Sequence, residues 1–196
     1  DQNYVVVDCG SLNDNLVESE LYGHIKGAFT GAQFNKAGYL EQAHRGTLML
    51  DEINSTSPAF QSRLLRVIEE GEFKKVGSTE TMRVDVRFVS VSNALLEEKV
   101  AENTFRKDLY YRLNVVHIHI PPLRERKGDI QLLAAHFLKK AMVTTNKKKL
   151  QFAAETISLL ESYNWPGNVR ELENVVERSV ALCNDIIILP ADLPIQ

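Results

Sequence analysis

At 196 residues, 44% of them hydrophobic and 25% charged, the chain has ordinary globular composition and enough length to bury a core in one domain or two small ones. A net charge of −3 leaves no global basic footprint for nucleic acid. Two cysteines so far apart as Cys9 and Cys183 make no disulfide framework, which points to a reduced, cytoplasmic setting. No apolar run approaches the length of a membrane span and the first residues are not a signal peptide, so no membrane partner is expected.

Tyr4 to Val7 is a β-branched run expected as a central strand, and the chain opens in mid-pattern there, as a fragment of a longer protein does. Leu12, Leu16 and Leu21 suggest a short helix. It leads into a stretch where Gly23, Gly27 and Gly31 surround Phe29. Glycine frees the backbone to turn sharply, so two readings stand open: Phe29 is the apolar tip of a presented loop, or it folds back into the core. Residues 37–43 read as a second short helix. Gly46 to Leu50 is a continuous apolar run, expected as a parallel strand covered on both faces, and it ends in Asp51 and Glu52.

Ser57 and Pro58 are a helix start; Phe60, Leu64, Leu65 and Ile68 form its apolar face and Gly71 its stop. Phe73–Val76 and Met82–Val86 alternate as a hairpin around Gly77-Ser78. Phe88–Ser92 reads as a strand ending at Asn93, residues 95–113 as helical with a break near Asn103, and Val115–Ile120 as a further strand closed by Pro121 and Pro122. From Gly128 onward the signals are helical, at 129–143, 153–162 and 168–182. The pattern therefore divides into an α/β part with a parallel sheet over 1–120, a linker over 121–127 and a small helical part over 128–196. Lys147 to Lys149 reads as a solvated loop.

An apolar strand ending in two acids sets carboxylates at the carboxyl edge of a sheet, where α/β proteins bind ligands. One acid there can hold Mg²⁺ and the next can orient a water for attack on a phosphate; alternatively both cap a surface turn. Asp108 and Arg112, spaced i and i+4, can form a helical ion pair. Arg170 opens a helix that Asn168 can cap, with Glu171 completing a capping box. It lies off the stripe of Val169, Leu172, Val176 and Val180, and Glu173 is its local partner. Trp165 reads as a core anchor. His117 and His119 share one face of their strand and lack a third metal ligand at suitable spacing.

Taken together, five segments resemble the AAA+ ATPases that activate sigma-54 RNA polymerase, the NtrC-like bacterial enhancer-binding proteins. Gly-Thr-Leu-Met-Leu-Asp-Glu-Ile (46–53) resembles their Walker B segment. Gly-Ala-Phe-Thr-Gly-Ala (27–32) is identical to their signature loop. Phe-Arg-Lys-Asp-Leu-Tyr-Tyr-Arg-Leu (105–113) resembles their arginine-finger segment, Pro-Pro-Leu-Arg-Glu-Arg (121–126) their interdomain linker, and Trp-Pro-Gly-Asn-Val-Arg-Glu-Leu (165–172) their sensor II segment. The matches stand in the family's order and cover nearly the whole chain.

The resemblance implies an AAA+ P-loop NTPase-type parallel sheet followed by a helical lid, with ATP and Mg²⁺ as ligands. Asp51 would bind Mg²⁺, Glu52 would activate water, Asn93 would be the sensor I group and Asp8 the switch that holds Glu52. A nucleotide-binding segment would run through Ala43, His44, Arg45, Gly46, Thr47, Leu48, Met49, Leu50, Asp51 and Glu52, with Arg170 reaching the phosphates. Arg106 and Arg112 would reach a neighbouring subunit's site, an effect of order 10³–10⁵ in rate. Gly27, Ala28, Phe29, Thr30, Gly31 and Ala32 would contact sigma-54. The implied partners are sigma-54 RNA polymerase and further copies of the chain in a ring, a hexamer. DNA would be bound only through a domain outside this chain, and many relatives carry a receiver domain of two-component systems there as well.

No Gly-x-x-x-x-Gly-Lys-[Ser/Thr] occurs, and no glycine is followed by lysine. That loop supplies the cradle and the lysine for the phosphates, so the chain alone is expected to hydrolyse ATP poorly. Smaller departures from the family are Ile25, Arg45 and Asn54. The rival readings are another AAA+ remodeler and a non-hydrolysing interaction module on the same fold.

Overall fold

The fold is that of a computed structural model, which describes residues 2–10, 14–147, 149–183 and 185–195. The chain separates into two compact units, 1–117 and 118–196.

The first unit runs β1 (Tyr4–Asp8), α1 (Asp14–Tyr22), β2 (Gly23–His24), β3 (Lys36–Ala37), α2 (Tyr39–Gln42), β4 (Thr47–Asp51), α3 (Pro58–Glu70), β5 (Glu72–Phe73), β6 (Met82–Arg83), β7 (Arg87–Ser90), α4 (Leu96–Ala101) and α5 (Lys107–Leu113). Its main sheet is parallel, in the order β1-β4-β7. Tyr4 pairs with Thr47 and Asp8 with Asp51, so two acids end up side by side at the carboxyl edge. Val5 and Val7 face the same way as Leu48 and Leu50, and with Leu21, Leu40, Phe60, Leu64 and Leu109 they form the core.

Two expectations about this sheet need correction. β1 is an edge strand of the described sheet, not a central one, because it pairs with β4 alone. The sheet is fully covered on one face only: Leu48 and Leu50 are buried, whereas Tyr4 and Val6, across from Thr47 and Met49, are exposed. A two-residue period thus lies beneath what reads as an unbroken apolar run.

α3 begins as its sequence says. Ser57 Oγ accepts from the Phe60 N–H at 3.3 Å, Pro58 takes the first position, and Gly71 ends the helix in the left-handed conformation. The expected hairpin is narrower than its alternation: only Glu72 with Arg83 and Phe73 with Met82 pair, and Val76 instead bonds back to Gly23 and Ile25. The helical stretch at 95–113 breaks around Asn103, which has φ of 57°. The helix expected at 37–43 is shorter, because Lys36 and Ala37 are held in β3 against β2. Leu12 lies outside the described residues.

Val115 to Ile120 is not a strand. Its alternation of Val, His and Ile has the right period, but the segment pairs with no described strand, and Val115, Val116, Ile118 and Ile120 stand exposed. Periodicity is local, whereas a strand exists only with a neighbour to accept its hydrogen bonds.

The second unit contains a 3₁₀ turn at Leu123–Glu125, then α6 (Gly128–Thr145), β8 (Gln151–Phe152), α7 (Ala154–Ser162), α8 (Asn168–Leu182), β9 (Ile187–Ile188) and a 3₁₀ turn at Pro190–Asp192. Leu123, Ile130, Leu160, Trp165, Leu172, Val176 and Val180 form its core. Trp165 is fully buried and its Nε1–H donates to the Leu160 carbonyl at 2.7 Å, as a core anchor should. Asn168 does not cap α8; it is the first residue of the helix, and its Oδ1 accepts from the Leu123 N–H at 2.8 Å. Glu171 still reaches back, accepting from the Gly167 N–H at 2.8 Å. Lys147 is not a solvated loop residue either. Its Nζ donates to the carbonyls of Val180, Ala181 and Cys183 at 2.7, 3.0 and 2.7 Å and closes the end of α8.

Candidate functional site

Three strand ends build the carboxyl edge of the main sheet. β1 delivers Asp8, Cys9 and Gly10, β4 delivers Asp51 and Glu52, and β7 leads through Val91 and Ser92 to Asn93. Backbone bonds continue past the strands: the Cys9 N–H donates to the Asp51 carbonyl at 2.9 Å, and the Ile53 N–H to the Val91 carbonyl at 3.1 Å. The Asp51 Oδ1 accepts from the Glu52 N–H at 3.0 Å, and the Asp8 Oδ1 from the Gly10 N–H at 2.9 Å.

Glu52 sits at φ 53° and ψ 43°, left-handed for a residue with a side chain, at a cost of about 1–3 kcal/mol. That kink turns its carboxylate out of the strand line toward Asn93, whose Nδ2 donates to Glu52 Oε1 at 3.4 Å. On the other side the carboxylate lies against Gly10: a Cβ there would stand 2.0 Å from Glu52 Oε2. Glycine at position 10 is what lets the acid occupy this place. Cys9 is buried beneath, and burial with the charges of Asp8 and Asp51 pushes its thiol up to about 12.

Asn54 joins this group, although in sequence it registers only as a departure. Its Nδ2 donates to Asn93 Oδ1 at 3.0 Å, and its Oδ1 is 2.9 Å from the Ser92 hydroxyl. Its partners are 38 and 39 residues away, so no local pattern reveals it.

The segment expected to bind nucleotide, residues 43–52, is not gathered in one place. Ala43, His44, Arg45 and Gly46 form the turn at the amino end of β4, the opposite end from Asp51. There the Arg45 N–H donates to the Asp85 carbonyl at 2.6 Å and the Asp85 N–H to His44 Nδ1 at 3.3 Å. Leu48 and Leu50 point into the core, and Thr47 and Met49 face the other way, half-buried.

Among the described residues no group of three or more His, Cys, Asp or Glu is placed to hold a metal. Mg²⁺ fits the acid edge nevertheless, since it binds through one or two carboxylates and completes its shell with water and phosphate oxygens.

The glycine-rich loop settles between its two readings. Gly27 and Gly31, with φ of 82° and 106°, permit a tight turn closed by the Gly27 N–H to Ala32 carbonyl bond at 2.9 Å and the Ala32 N–H to Phe29 carbonyl bond at 3.0 Å. At its base the Lys26 N–H donates to Asn35 Oδ1 at 2.7 Å. Phe29 stays 43% exposed and leans on the His24 ring, outside the core. Ala28 and Thr30 complete the turn, and Ala32 is buried at its end.

Arg106 and Arg112 both lie on the surface. Arg106, preceding α5, gives Nε and Nη2 to Asp108 at 3.0 and 2.6 Å and Nη1 to Ser62 at 2.9 Å. That fork holds the Asp108 carboxyl below the usual carboxylate range. Arg112 pairs with Glu69 at 3.2 Å, so the expected Asp108–Arg112 pair is absent. In the second unit Arg170 is exposed, and its expected local partner Glu173 is taken by Lys140 at 2.6 Å.

Residues 1–119 match the family described as the sigma-54 interaction domain, and residues 124–196 the one described as the AAA+ ATPase lid domain. The chain is 47% identical over 193 residues to the regulatory protein AtoC of Escherichia coli K12, which covers 98% of this chain and 42% of that protein. It is 51% identical over 182 residues to a Nif-specific regulatory protein of Herbaspirillum seropedicae, covering 93% and 34%. With the transcriptional regulatory protein ZraR of Salmonella typhimurium it shares 48% identity over 195 residues, covering 100% and 44%. It thus spans between 34% and 44% of the length of these relatives. Among solved structures, NtrX from Brucella abortus in complex with ATP superposes with a TM-score of 0.89 at 34% identity, over 98% of this chain and 42% of NtrX. The closed state of Hsp104, 16% identical with a TM-score of 0.63, shares the fold alone. With that match over residues 1–119, the chain belongs to the sigma-54 interaction domain family of AAA+ ATPases and carries the AAA+ lid after it.

Proposed function

We propose that this chain is the central ATP-hydrolysing and sigma-54-contacting region of a bacterial transcriptional activator. The reading rests above all on one unit carrying both a hydrogen-bonded acid pair at the carboxyl edge of its sheet and a separate glycine-rich loop with a half-exposed Phe29. Residues 1–120 are the α/β subdomain, 121–127 the linker and 128–196 the lid.

Asp51 would hold Mg²⁺, which would supply charge neutralisation on the phosphate. Glu52 accepts a hydrogen bond from the attacking water and orients it. Asn93 fixes the Glu52 carboxylate, and Asp8, beside Asp51, is the switch that responds to nucleotide state. Arg170 reaches the phosphates from the lid. Arg106 and Arg112 serve the site of a neighbouring copy in a ring, a hexamer, once Arg106 leaves Asp108 and Ser62. Gly27, Ala28, Phe29, Thr30, Gly31 and Ala32 are the output: nucleotide turnover moves the tip, which engages sigma-54 and remodels the closed promoter complex. DNA is held by another domain of the full-length protein, which works in the cytoplasm.

In the full-length protein, Phe29→Ala and Thr30→Ala keep ATP turnover within about twofold and lose sigma-54-dependent open-complex formation. Activation that survives both substitutions overturns the assignment of the tip. The 196-residue chain alone hydrolyses ATP poorly, because it holds no Gly-x-x-x-x-Gly-Lys-[Ser/Thr]. Robust Mg²⁺-dependent turnover by the purified chain overturns that part.

A further inference from the structure

We infer that Asn54 is a positioning residue for hydrolysis: it holds the Asn93 amide in the one orientation that turns its nitrogen to Glu52. This rests on the reading of Glu52 and Asn93 given above.

A side-chain amide has a donor end and an acceptor end, and rotating it by half a turn exchanges them. At position 93 the two ends meet different partners. Asn54 Nδ2 donates to Asn93 Oδ1 at 3.0 Å, and Asn93 Nδ2 then donates to Glu52 Oε1 at 3.4 Å. Asn54 is itself oriented. Its Oδ1 lies 2.9 Å from the Ser92 hydroxyl, whose single hydrogen is shared with the Ala94 carbonyl at 2.6 Å, and its Nδ2 also lies 3.4 Å from Ser55 Oγ. The result is a directed chain, Asn54 to Asn93 to Glu52, ending on a carboxylate that can only accept.

The backbone beneath Asn54 is fixed as well. It is the middle residue of the 3₁₀ turn Ile53–Ser55, closed by the Ser55 N–H to Glu52 carbonyl bond at 2.9 Å and by Thr56 Oγ1 donating to the Ile53 carbonyl at 2.7 Å. Ile53 is fully buried and anchors the turn in the core. Asn54 therefore follows Glu52 on a rigid turn and reaches across to β7's extension. Its side-chain bonds run to Ser92, Ser55 and Asn93, and it acts through Asn93.

The test uses the full-length protein with Asn54→Asp and Asn54→Gly. An ionised aspartate keeps the shape but only accepts hydrogen bonds. It draws Asn93 Nδ2 to itself and turns Asn93 Oδ1 toward the Glu52 carboxylate. Glycine removes the constraint without imposing the wrong sense. The expected order is a kcat lowered about tenfold or more by Asn54→Asp and less by Asn54→Gly. KM, and the Kd for a fluorescent ATP analogue measured without turnover, stay within about twofold. A merely structural role would lower kcat and nucleotide binding together, and that result overturns the inference, as does a kcat within about twofold of the parent for Asn54→Asp. Glu52→Gln in the same assay separates the two levels. If it abolishes turnover while Asn54→Asp does not, only the role of Asn54 fails; if it keeps full turnover, the reading of the acid pair fails.

Discussion

The His24 ring meets the Phe29 ring edge-on with centroids 5.0 Å apart, and His24 Nδ1 shares a hydrogen bond with Ser19 Oγ at 2.8 Å. The tip of the loop is thus parked on a ring that α1 holds in place. An edge-to-face pair is worth about 0.5–1.5 kcal/mol. That is small enough for a partner that buries Phe29 to displace it, since full burial of such a ring gains about 1.5–3 kcal/mol. His24→Ala should therefore loosen the loop without unfolding the unit. Amide exchange at Gly27 and Ala32 should speed up about two- to tenfold, the range those energies imply. Unchanged exchange would mean that the turn's own backbone bonds hold it.

Gly10→Ala brings a Cβ to 2.0 Å from Glu52 Oε2, so the carboxylate has to move. The nearest atom is the far end of a flexible side chain, but Glu52 Cβ would also stand 3.3 Å away, and the fold should lose about 1–3 kcal/mol. The acid loses its alignment with Asn93, and ATP turnover of the full-length protein should fall about tenfold or more. Retained turnover together with an unchanged melting temperature would show that the position of Glu52 against Gly10 is immaterial.

Lys147→Met keeps the length of the side chain and removes three hydrogen bonds to the carbonyls that end α8. The expected cost is about 1–2 kcal/mol, read as a lower midpoint in urea unfolding of the second unit's transition. A shift below about 0.3 kcal/mol would show that water satisfies those carbonyls equally well.

Cys9 sets an alkaline limit. Its folded thiol is pushed up to about 12, whereas an unfolded thiol ionises near about pH 8.5. Above the unfolded value the unfolded chain releases a proton that the folded one keeps, so the stability held below that value falls as pH rises toward the folded one. The slope is about 1.4 kcal/mol per pH unit for one proton. Cys9→Ala should flatten the fall of the melting temperature between about pH 9 and 11 relative to the parent. A parallel decline in both proteins would assign it to other groups. Tyr22, whose phenol burial also pushes up, is the next to substitute.

What the sequence made legible follows the range of the forces involved. β4 and its terminal acids, the cap at Ser57, the stop at Gly71 and the break at Asn103 are local chemistry, and each appears where its residues indicate. The segment Val115–Ile120 does not, since its alternation says nothing of whether a neighbouring strand exists. Asp108 illustrates the same limit: helical spacing offers Arg112, but Arg106 is two residues away and can fork onto both oxygens, while Arg112 finds Glu69 on α3. Lys147, Asn54 and Gly10 owe their roles to partners more than thirty residues distant. The acid pair could be named from its strand and Asn93 from the resemblance, but Asn54 and Gly10, which set them in place, could not.

Gln61 has a consequence for timing. Its side chain is fully buried on α3, where Nε2 donates to the carbonyls of Thr56 and Thr104 at 2.9 and 3.1 Å, and Oε1 accepts from the Arg106 N–H at 2.8 Å. Thr56 closes the turn that begins at Glu52, and Arg106 precedes α5. One amide therefore clamps the stretch after Glu52 to the stretch that carries Arg106. The two cannot drift independently, so a movement at the Glu52 turn is passed to the start of α5 with no slack in between.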